Sequence, residues 1–171
     1  LPPDLRADGF TNTAYNLSVD LKHIDAYARL AEIIVSHMDP EKFASQFARN
    51  RRFTDKDMEA LLKPMGTWIL RGPLQDREII AYRGISTSVA SVSGTFKEAV
   101  GYMIQAMLQS PRFIYRIENQ RGDGSTWPID DYELASRMSY IIWGASPDKE
   151  LMRATKDGAL SDPRQLEGQA Q

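Results

Sequence analysis

Residues 95–108 read TFKEAVGYMIQAML, and this stretch decides the fold class. Thr95 and Glu98 have the spacing of a capping box, in which each side chain accepts a hydrogen bond from the other residue's backbone N–H at a helix start. The apolar residues that follow recur at helical spacing and are Phe96, Val100, Met103, Ile104, Met107 and Leu108. Ser110-Pro111 then breaks the pattern. The stretch therefore predicts a strongly apolar helix with a defined start and end.

Explicit helix starts recur on both sides of this segment. Residues whose side chains can cap a helix N-terminus stand at Ser18, Asp39, Thr54, Asp130, Ser146 and Ser161. Asp130 and Glu133 form a second capping box. No stretch of any length alternates apolar and polar residues as a half-buried strand would. The sequence thus predicts an all-α fold, an irregular bundle of about seven to eight short helices.

The first of these helices is expected from Ser18 to about Met38 and contains both histidines of the chain. Its apolar stripe consists of Leu21, Ile24, Ala28, Ala31, Val35 and Met38. His23 and His37 lie fourteen residues apart, which places them ~21 Å apart along the helix axis. They cannot bind one metal together. Each is either a lone haem or metal ligand with a partner elsewhere or an ordinary, partly exposed histidine.

The middle of the chain is expected to contain three more helices and a loop. One runs over about 40–50 and ends in a basic cluster, and the next begins after Thr54. Pro64 should kink or end that second helix. A third covers about 74–83, and the Ser-, Thr- and Gly-rich residues 84–94 should form a loop. Residues 1–16 are expected to be an extended lead-in, and 119–128 another loop.

Composition excludes several classes of function. The chain of 171 residues has a formal net charge of −2, whereas a general nucleic-acid binder usually has a clear basic excess. No apolar run approaches the ~20 residues needed to cross a bilayer. The absence of cysteine removes disulfides, thiolate metal sites, cysteine nucleophiles and covalent c-type haem attachment. The first residues do not have the pattern of a signal peptide, and the chain looks like a part of a longer polypeptide.

Two short strings match catalytic motifs superficially. Ser146-Pro147-Asp148-Lys149 has the S-x-x-K spacing of penicillin-binding serine hydrolases, but the companion S-D-N and K-T-G strings are missing. A helix N-cap explains this string better. Residues 84–88 nearly match the G-x-S-x-G nucleophile elbow, but the final glycine is absent and no strand precedes it. We assign no catalytic residue in this chain.

The charged clusters allow one candidate interaction patch. Asp123-Gly124-Ser125 lacks the EF-hand pattern of a calcium site, and helix capping explains the acids at 130–133. No metal site is therefore predicted. The densest basic patch consists of Arg49, Arg51 and Arg52 and could meet a phosphate or an acidic partner, although a solvated helix end also explains it.

Methionine and tryptophan are expected to fill or anchor the core. The methionines concerned are Met58, Met65, Met103, Met107, Met138 and Met152. Trp68, Trp127 and Trp143 are expected to be core or loop anchors.

Three stretches together resemble a known family. They are 1–12, with its LPPD and DGFTN strings, 47–54 (FARNRRFT), and the pair 108–118 (LQSPRFIYRIE) and 130–143 (DDYELASRMSYIIW). These resemble large exported planctomycete and proteobacterial multi-domain proteins of unknown function that often have a c-type cytochrome module. The resemblance implies the end of a first family domain at 1–39, a second helical domain at 40–118, and a loop with the start of a third domain at 119–171.

The family resemblance also sets the functional expectation. It implies a periplasmic or extracellular helical scaffold or interaction segment that contacts protein partners, such as a redox module, and supports electron transfer. Any haem would lie in a partner or in a domain outside this chain. Two alternatives remain open. One is an accessory subunit docked on a membrane electron-transfer complex, and the other is part of a hydrolase or oxidoreductase whose site is completed elsewhere.

Overall fold

The computed structural model describes residues 21–118 and 129–170, and these residues form α-helices joined by short connections. The nine helices of the described residues are α1 (Leu21–His37), α2 (Pro40–Ala44), α3 (Asp55–Leu70), α4 (Asp76–Ser91), α5 (Phe96–Leu108), α6 (Pro111–Ile114), α7 (Asp131–Ile142), α8 (Lys149–Lys156) and α9 (Pro163–Ala170). A 3-10 turn, Ala159–Ser161, precedes α9. The described residues contain no strand. The all-α prediction is therefore confirmed.

Helix α5 is the centre of the larger hydrophobic core. It packs against α1, α2, α3, α4 and α6. Val100, Met103 and Met107 on α5 have no exposed surface, and they meet Leu61, Leu62 and Met65 of α3 in one apolar cluster. Because α5 is apolar around most of its circumference, it can be buried by several neighbours at once.

A second, smaller cluster holds the C-terminal helices together. Its buried members are Ala135 of α7, Leu151 and Ala154 of α8, and Leu160 of the 3-10 turn. The two clusters share no buried residue. Helix α1 shares the larger cluster through Val35.

The capping boxes form as predicted. Thr95 Oγ1 accepts from the Glu98 N–H at 3.2 Å, and Glu98 Oε2 accepts from the Thr95 N–H at 2.7 Å. These hydrogen bonds from Thr95 hold the pKa of Glu98 below its ordinary value. Asp130 and Glu133 make the same reciprocal pair at the start of α7.

The expected loop at 84–94 is wrong for most of its length, because α4 continues to Ser91. The hydroxyls that suggested a loop bond back to the helix: Ser86 donates to the Arg83 carbonyl and Ser88 to the Gly84 carbonyl. The buried face of α4 is Ile79, Tyr82, Ser86 and Val89, at helical spacing. Packing of this face, chiefly against α5, outweighs the weak helix propensity of the serines.

Three other helix boundaries differ from the sequence predictions or decide between their alternatives. Helix α2 ends at Ala44, so Phe47 and the basic residues after it lie outside the helix. Helix α8 begins at Lys149, and its N-cap is Asp148, not the predicted Ser146. Asp148 Oδ1 accepts a hydrogen bond from the Leu151 N–H at 2.8 Å. Helix α3 does not end at Pro64 but continues to Leu70.

The apolar stripe predicted for α1 is buried only in part. Ala31 and Val35 face the core, whereas Leu21 and Ile24 are exposed. The lead-in at 1–16, the Ser18 cap, the loop at 119–128 with Asp123-Gly124-Ser125, and Trp127 lie outside the described residues.

The core-filling role is confirmed for the buried methionines, which are Met58, Met65, Met103 and Met107. Met138 and Met152 are only partly buried. Trp68 packs against the larger core, while Trp143, at the end of α7, is half-exposed.

Candidate functional site

Neither of the two strings that resemble catalytic motifs, 84–88 and 146–149, is arranged as an active site. Ser86 is buried inside α4 and donates to a carbonyl of its own helix, so it cannot act as an exposed nucleophile. Ser146 Oγ lies 3.2 Å from the Tyr140 hydroxyl, and the Lys149 ammonium donates to Gln46 Oε1 at 3.5 Å. The lysine that would activate the serine is thus bonded elsewhere.

The histidines lie on α1 as the sequence predicts. His37 Nδ1 lies 2.8 Å from the Ile33 carbonyl oxygen, within the same helix. Over 21–118 and 129–170, no group of three or more His, Asp or Glu side chains is placed to hold a metal ion.

The predicted arginine patch follows α2 and is exposed. Arg51 Nη1 donates to Glu41 Oε1 at 2.5 Å, and Arg52 Nε lies 3.8 Å from Asp57 Oδ2. Hydrogen bonds from Thr54 and Asn50 hold the pKa of Asp57 below its ordinary value, so it stays ionised beside Arg52. These acids offset part of the positive charge. A binding role for Arg49, Arg51 and Arg52 stays a prediction.

One buried arginine with several long-range hydrogen bonds was not selected by the sequence analysis. Arg71 follows the last residue of α3 in the left-handed conformation, with φ 57°, and its N–H donates to the Thr67 carbonyl. Only 7% of the residue is exposed. Its Nη2 is shared between the carbonyl oxygens of Arg112, Phe113 and Tyr115, at 2.6, 3.1 and 3.0 Å.

Aromatic rings surround the same guanidinium. Its carbon lies 5.7 Å from the ring centres of both Phe113 and Tyr140, within cation–π range. Burial lowers the pKa of Arg71, although a guanidinium stays charged at neutral pH. Arg71 therefore connects α3 to α6, to Tyr115 just after it, and to α7.

Arg112 makes the complementary connection. Its Nη2 donates to the carbonyl oxygens of Gly72 and Pro73, both at 3.1 Å, and its Nη1 donates to Glu78 Oε2 at 2.6 Å. The same Glu78 oxygen accepts from the Gln75 N–H at the start of α4. A Cβ at position 72 would lie 3.1 Å from Arg112 Nη2, so a larger residue there would require the Arg112 side chain to shift.

These arginines line a cavity of about 310 Å³, together with Arg77, Arg116, Asp130 and Tyr132. We call the Arg71–Arg112 pair with its carbonyl acceptors the arginine brace. The Nη groups of the brace already donate hydrogen bonds to backbone carbonyls and to Glu78. Its role is therefore structural: it holds the helices together. One sequence signal could have identified Arg71: a basic residue directly before Gly72-Pro73 is typical of a helix C-terminus.

An apolar groove of about 230 Å³ opens on another part of the surface. Its walls combine α1, α3, α5 and the segment before α8, and its lining includes Ile34, Met38, Phe43, Trp68, Ile104, Leu108, Phe113 and Pro147. Bulky apolar side chains stay exposed beside it on α1, namely Leu30, Ile33 and Ile34. The end of α7 adds Ile141, Ile142 and Trp143 to the exposed apolar residues. Exposed apolar surface of this kind is typical of interaction sites.

Sequence comparison finds three consecutive family matches. Residues 1–40 match PSD3, a protein of unknown function (DUF1587), residues 57–118 match PSD5, a protein of unknown function (DUF1595), and residues 129–171 match PSD4, a protein of unknown function (DUF1592). The chain thus contains three domains of unknown function in succession, as the resemblance to multi-domain proteins implied. No curated protein and no solved structure matches the chain.

Within 21–118 and 129–170, none of the helices combines the length and the apolar character needed to cross a bilayer.

Proposed function

We propose that this chain is an interaction segment of a larger multi-domain protein and that α1 packs against a neighbouring protein domain. The observation that carries the proposal is the exposure of Leu30, Ile33 and Ile34 on a helix that buries Ala31 and Val35, with Ile33 on the side opposite those two residues. A helix that is apolar on both sides is usually covered on both sides. The apolar groove beside Ile34 extends the surface that such a domain would cover.

Cysteine labelling of the full-length protein tests the proposal. Ile33→Cys and Ile80→Cys place thiols at sites that are 54% and 62% exposed in this structure, the first on α1 and the second on α4. If α1 is covered, maleimide should modify Cys at position 33 at least roughly tenfold more slowly than at position 80, because protection follows the equilibrium opening of the interface. Peptide mapping resolves the two sites. Equal rates at both positions would overturn the proposal.

We further propose that the covering domain is a redox module of an exported protein and that the segment supports electron transfer. The family resemblance supports this narrower statement, and it implies a periplasmic or extracellular location. Since the chain has no cysteine, covalently attached haem would be held outside these residues. The absorption spectrum of the purified full-length protein and fractionation of the cells test it. A full-length protein without a haem band, or one found in the cytoplasm, would contradict the narrower statement.

A further inference from the structure

A groove between α3 and α8 combines an apolar floor with a cationic rim. Its volume is about 570 Å³. The floor contains Phe47, Pro64, Trp68 and Met152. The rim contains Lys63, Lys149, Arg153 and Lys156. We call it the cationic groove. Its lining includes no acidic residue.

Three side chains of the floor, Pro64, Trp68 and Met152, contribute apolar surface in different ways. Pro64 lies within α3, and the CH2 groups of its ring add apolar surface at that point of the helix. Trp68 lies four residues later on the same face of α3 and packs partly on the larger core. Met152 of α8 is an unbranched, adaptable side chain that suits contact with varied partners.

Two of the four cations have local partners and two do not. Lys63 binds Glu59 at 2.5 Å, and Arg153 binds Glu150 at 2.6 Å and Asp157 at 3.2 Å. Within the part of the chain that the structure describes, Lys149 and Lys156 have no carboxylate at ion-pair distance. Lys149 makes only the long hydrogen bond to Gln46. Lys149 and Lys156 are thus the two rim cations of the described residues that are left without an ion pair.

From this geometry we propose that the cationic groove binds an acidic amphipathic segment of a partner protein. The apolar face of that segment lies on Trp68 and Met152, and its carboxylates pair with Lys149 and Lys156. An amphipathic helix laid in a groove presents apolar anchors at helical spacing and charged residues at the rim, which is the arrangement this groove complements. The cationic groove differs from the α1 surface in its lysines and in α8, and Trp68 is the residue that lines both it and the apolar groove beside α1.

The same observations disfavour other anionic partners. A nucleic acid would find an apolar floor and a chain whose net charge is −2, where backbone phosphates require a broad basic surface. An anionic membrane would meet the lysines, but a concave floor is less suited to a flat surface than to an inserted helix face.

Fluorescence anisotropy with designed peptides tests the proposal on the full-length protein. The probe is a labelled helical peptide with leucine at i, i+3, i+4 and i+7 spacing and glutamate elsewhere. Lys149→Glu with Lys156→Glu should weaken its binding roughly tenfold or more, and added salt should weaken binding to the unaltered protein. Lys22→Glu with Lys97→Glu, the same charge change on α1 and α5, should leave binding unchanged.

Four comparison ligands complete the test. A peptide with lysine in place of glutamate and one with serine in place of leucine should both bind at least roughly tenfold more weakly, because each lacks one half of the recognition. Equal binding of either would overturn the proposal. Tighter, Lys149-dependent binding of phosphatidylglycerol vesicles or of duplex DNA would also overturn it, in favour of a lipid surface or a nucleic acid.

The readouts of the two proposals are separate. Loss of peptide binding in the α8 variant with unchanged cysteine labelling at position 33 supports the cationic groove as an independent site. Thermal unfolding of each variant identifies any that fails to fold, and for such a variant Met152→Glu replaces the lysine changes. This substitution should also abolish binding of the glutamate peptide, and retained binding would overturn the proposal.

Discussion

Arg71 and Arg112 each bind the backbone that carries the other. Arg71 Nη2 donates to the Arg112 carbonyl at 2.6 Å, and Arg112 Nη2 donates to the carbonyls of Gly72 and Pro73, immediately after Arg71. The two side chains therefore fasten the end of α3 to the segment of α6 across forty residues of sequence. Carbonyl oxygens at helix ends need such donors when they are removed from water.

Removal of the Arg71 guanidinium should destabilise the protein substantially. Arg71→Met retains an unbranched apolar stem but leaves three carbonyls without this donor, so we expect the free energy of unfolding to fall by about 2–3 kcal/mol. Urea denaturation measures the change. Arg77→Met, at an exposed arginine of the same cavity, should change stability by less than about 0.5 kcal/mol. Similar losses in both variants would show that the brace does not stabilise the fold.

Substitutions at Gly84 test the continuation of α4 beyond the predicted loop. A methyl group there would meet no atom of the described residues within 4 Å, so Gly84→Ala should stabilise the helix by about 0.5–1 kcal/mol. Gly84→Pro should destabilise the protein by about 3 kcal/mol, because it removes an interior helix hydrogen bond. Thermal unfolding compares both variants with the unaltered protein. A tolerated proline would mean that the segment is a loop after all.

The ion pair between Glu118 and Arg137 should make stability depend on pH. Arg137 Nε and Nη2 donate to the two Glu118 oxygens at 3.0 and 2.5 Å, and these hydrogen bonds lower the pKa of Glu118 below its ordinary value of 4.5. A carboxylate with a lowered folded-state pKa stabilises the protein above its ordinary pKa, and this contribution is lost as pH falls through the lowered value.

Glu118→Gln therefore provides the measurement. The variant should be less stable than the unaltered protein near neutral pH, and the difference should shrink as the pH falls below 4.5. Urea midpoints over this range give the curve. Glu167→Gln, at an exposed glutamate of α9, removes the same charge and is the matched control. A constant difference for Glu118→Gln would contradict the role of the ion pair.

Methionines of the core and of the surface should respond differently to truncation. Met103 has no exposed surface and packs in the larger cluster, so Met103→Ala should lower the free energy of unfolding by about 2–5 kcal/mol. Met152 is only partly buried at the cationic groove, and Met152→Ala should have a smaller effect. Chemical denaturation of the two variants measures both changes. An equal loss of unfolding free energy in the two variants would contradict the assignment of Met103 to the centre of the core.

Sequence predictions succeeded where the stabilising contacts are local in sequence and failed for α4, where the contacts join distant segments. The capping boxes at Thr95 and Asp130 were predictable because donor and acceptor lie within four residues of each other. The extent of α4 was not, since a serine-rich segment has weak intrinsic preference and its helix depends on packing against α5. The start of α8 was misassigned to Ser146 because Asp148, two residues later, competes for the same role.

The sequence by itself determined that this protein is all-helical, where most helices begin, and that cysteine chemistry is excluded, because these properties depend on local spacing and composition. Only the tertiary structure decided the arginine brace, the apolar groove beside α1 and the cationic groove. Each joins side chains from helices that are distant in sequence. The reason is physical: burial, charge compensation and exposure are properties of packed surfaces, and no local pattern specifies which surfaces meet.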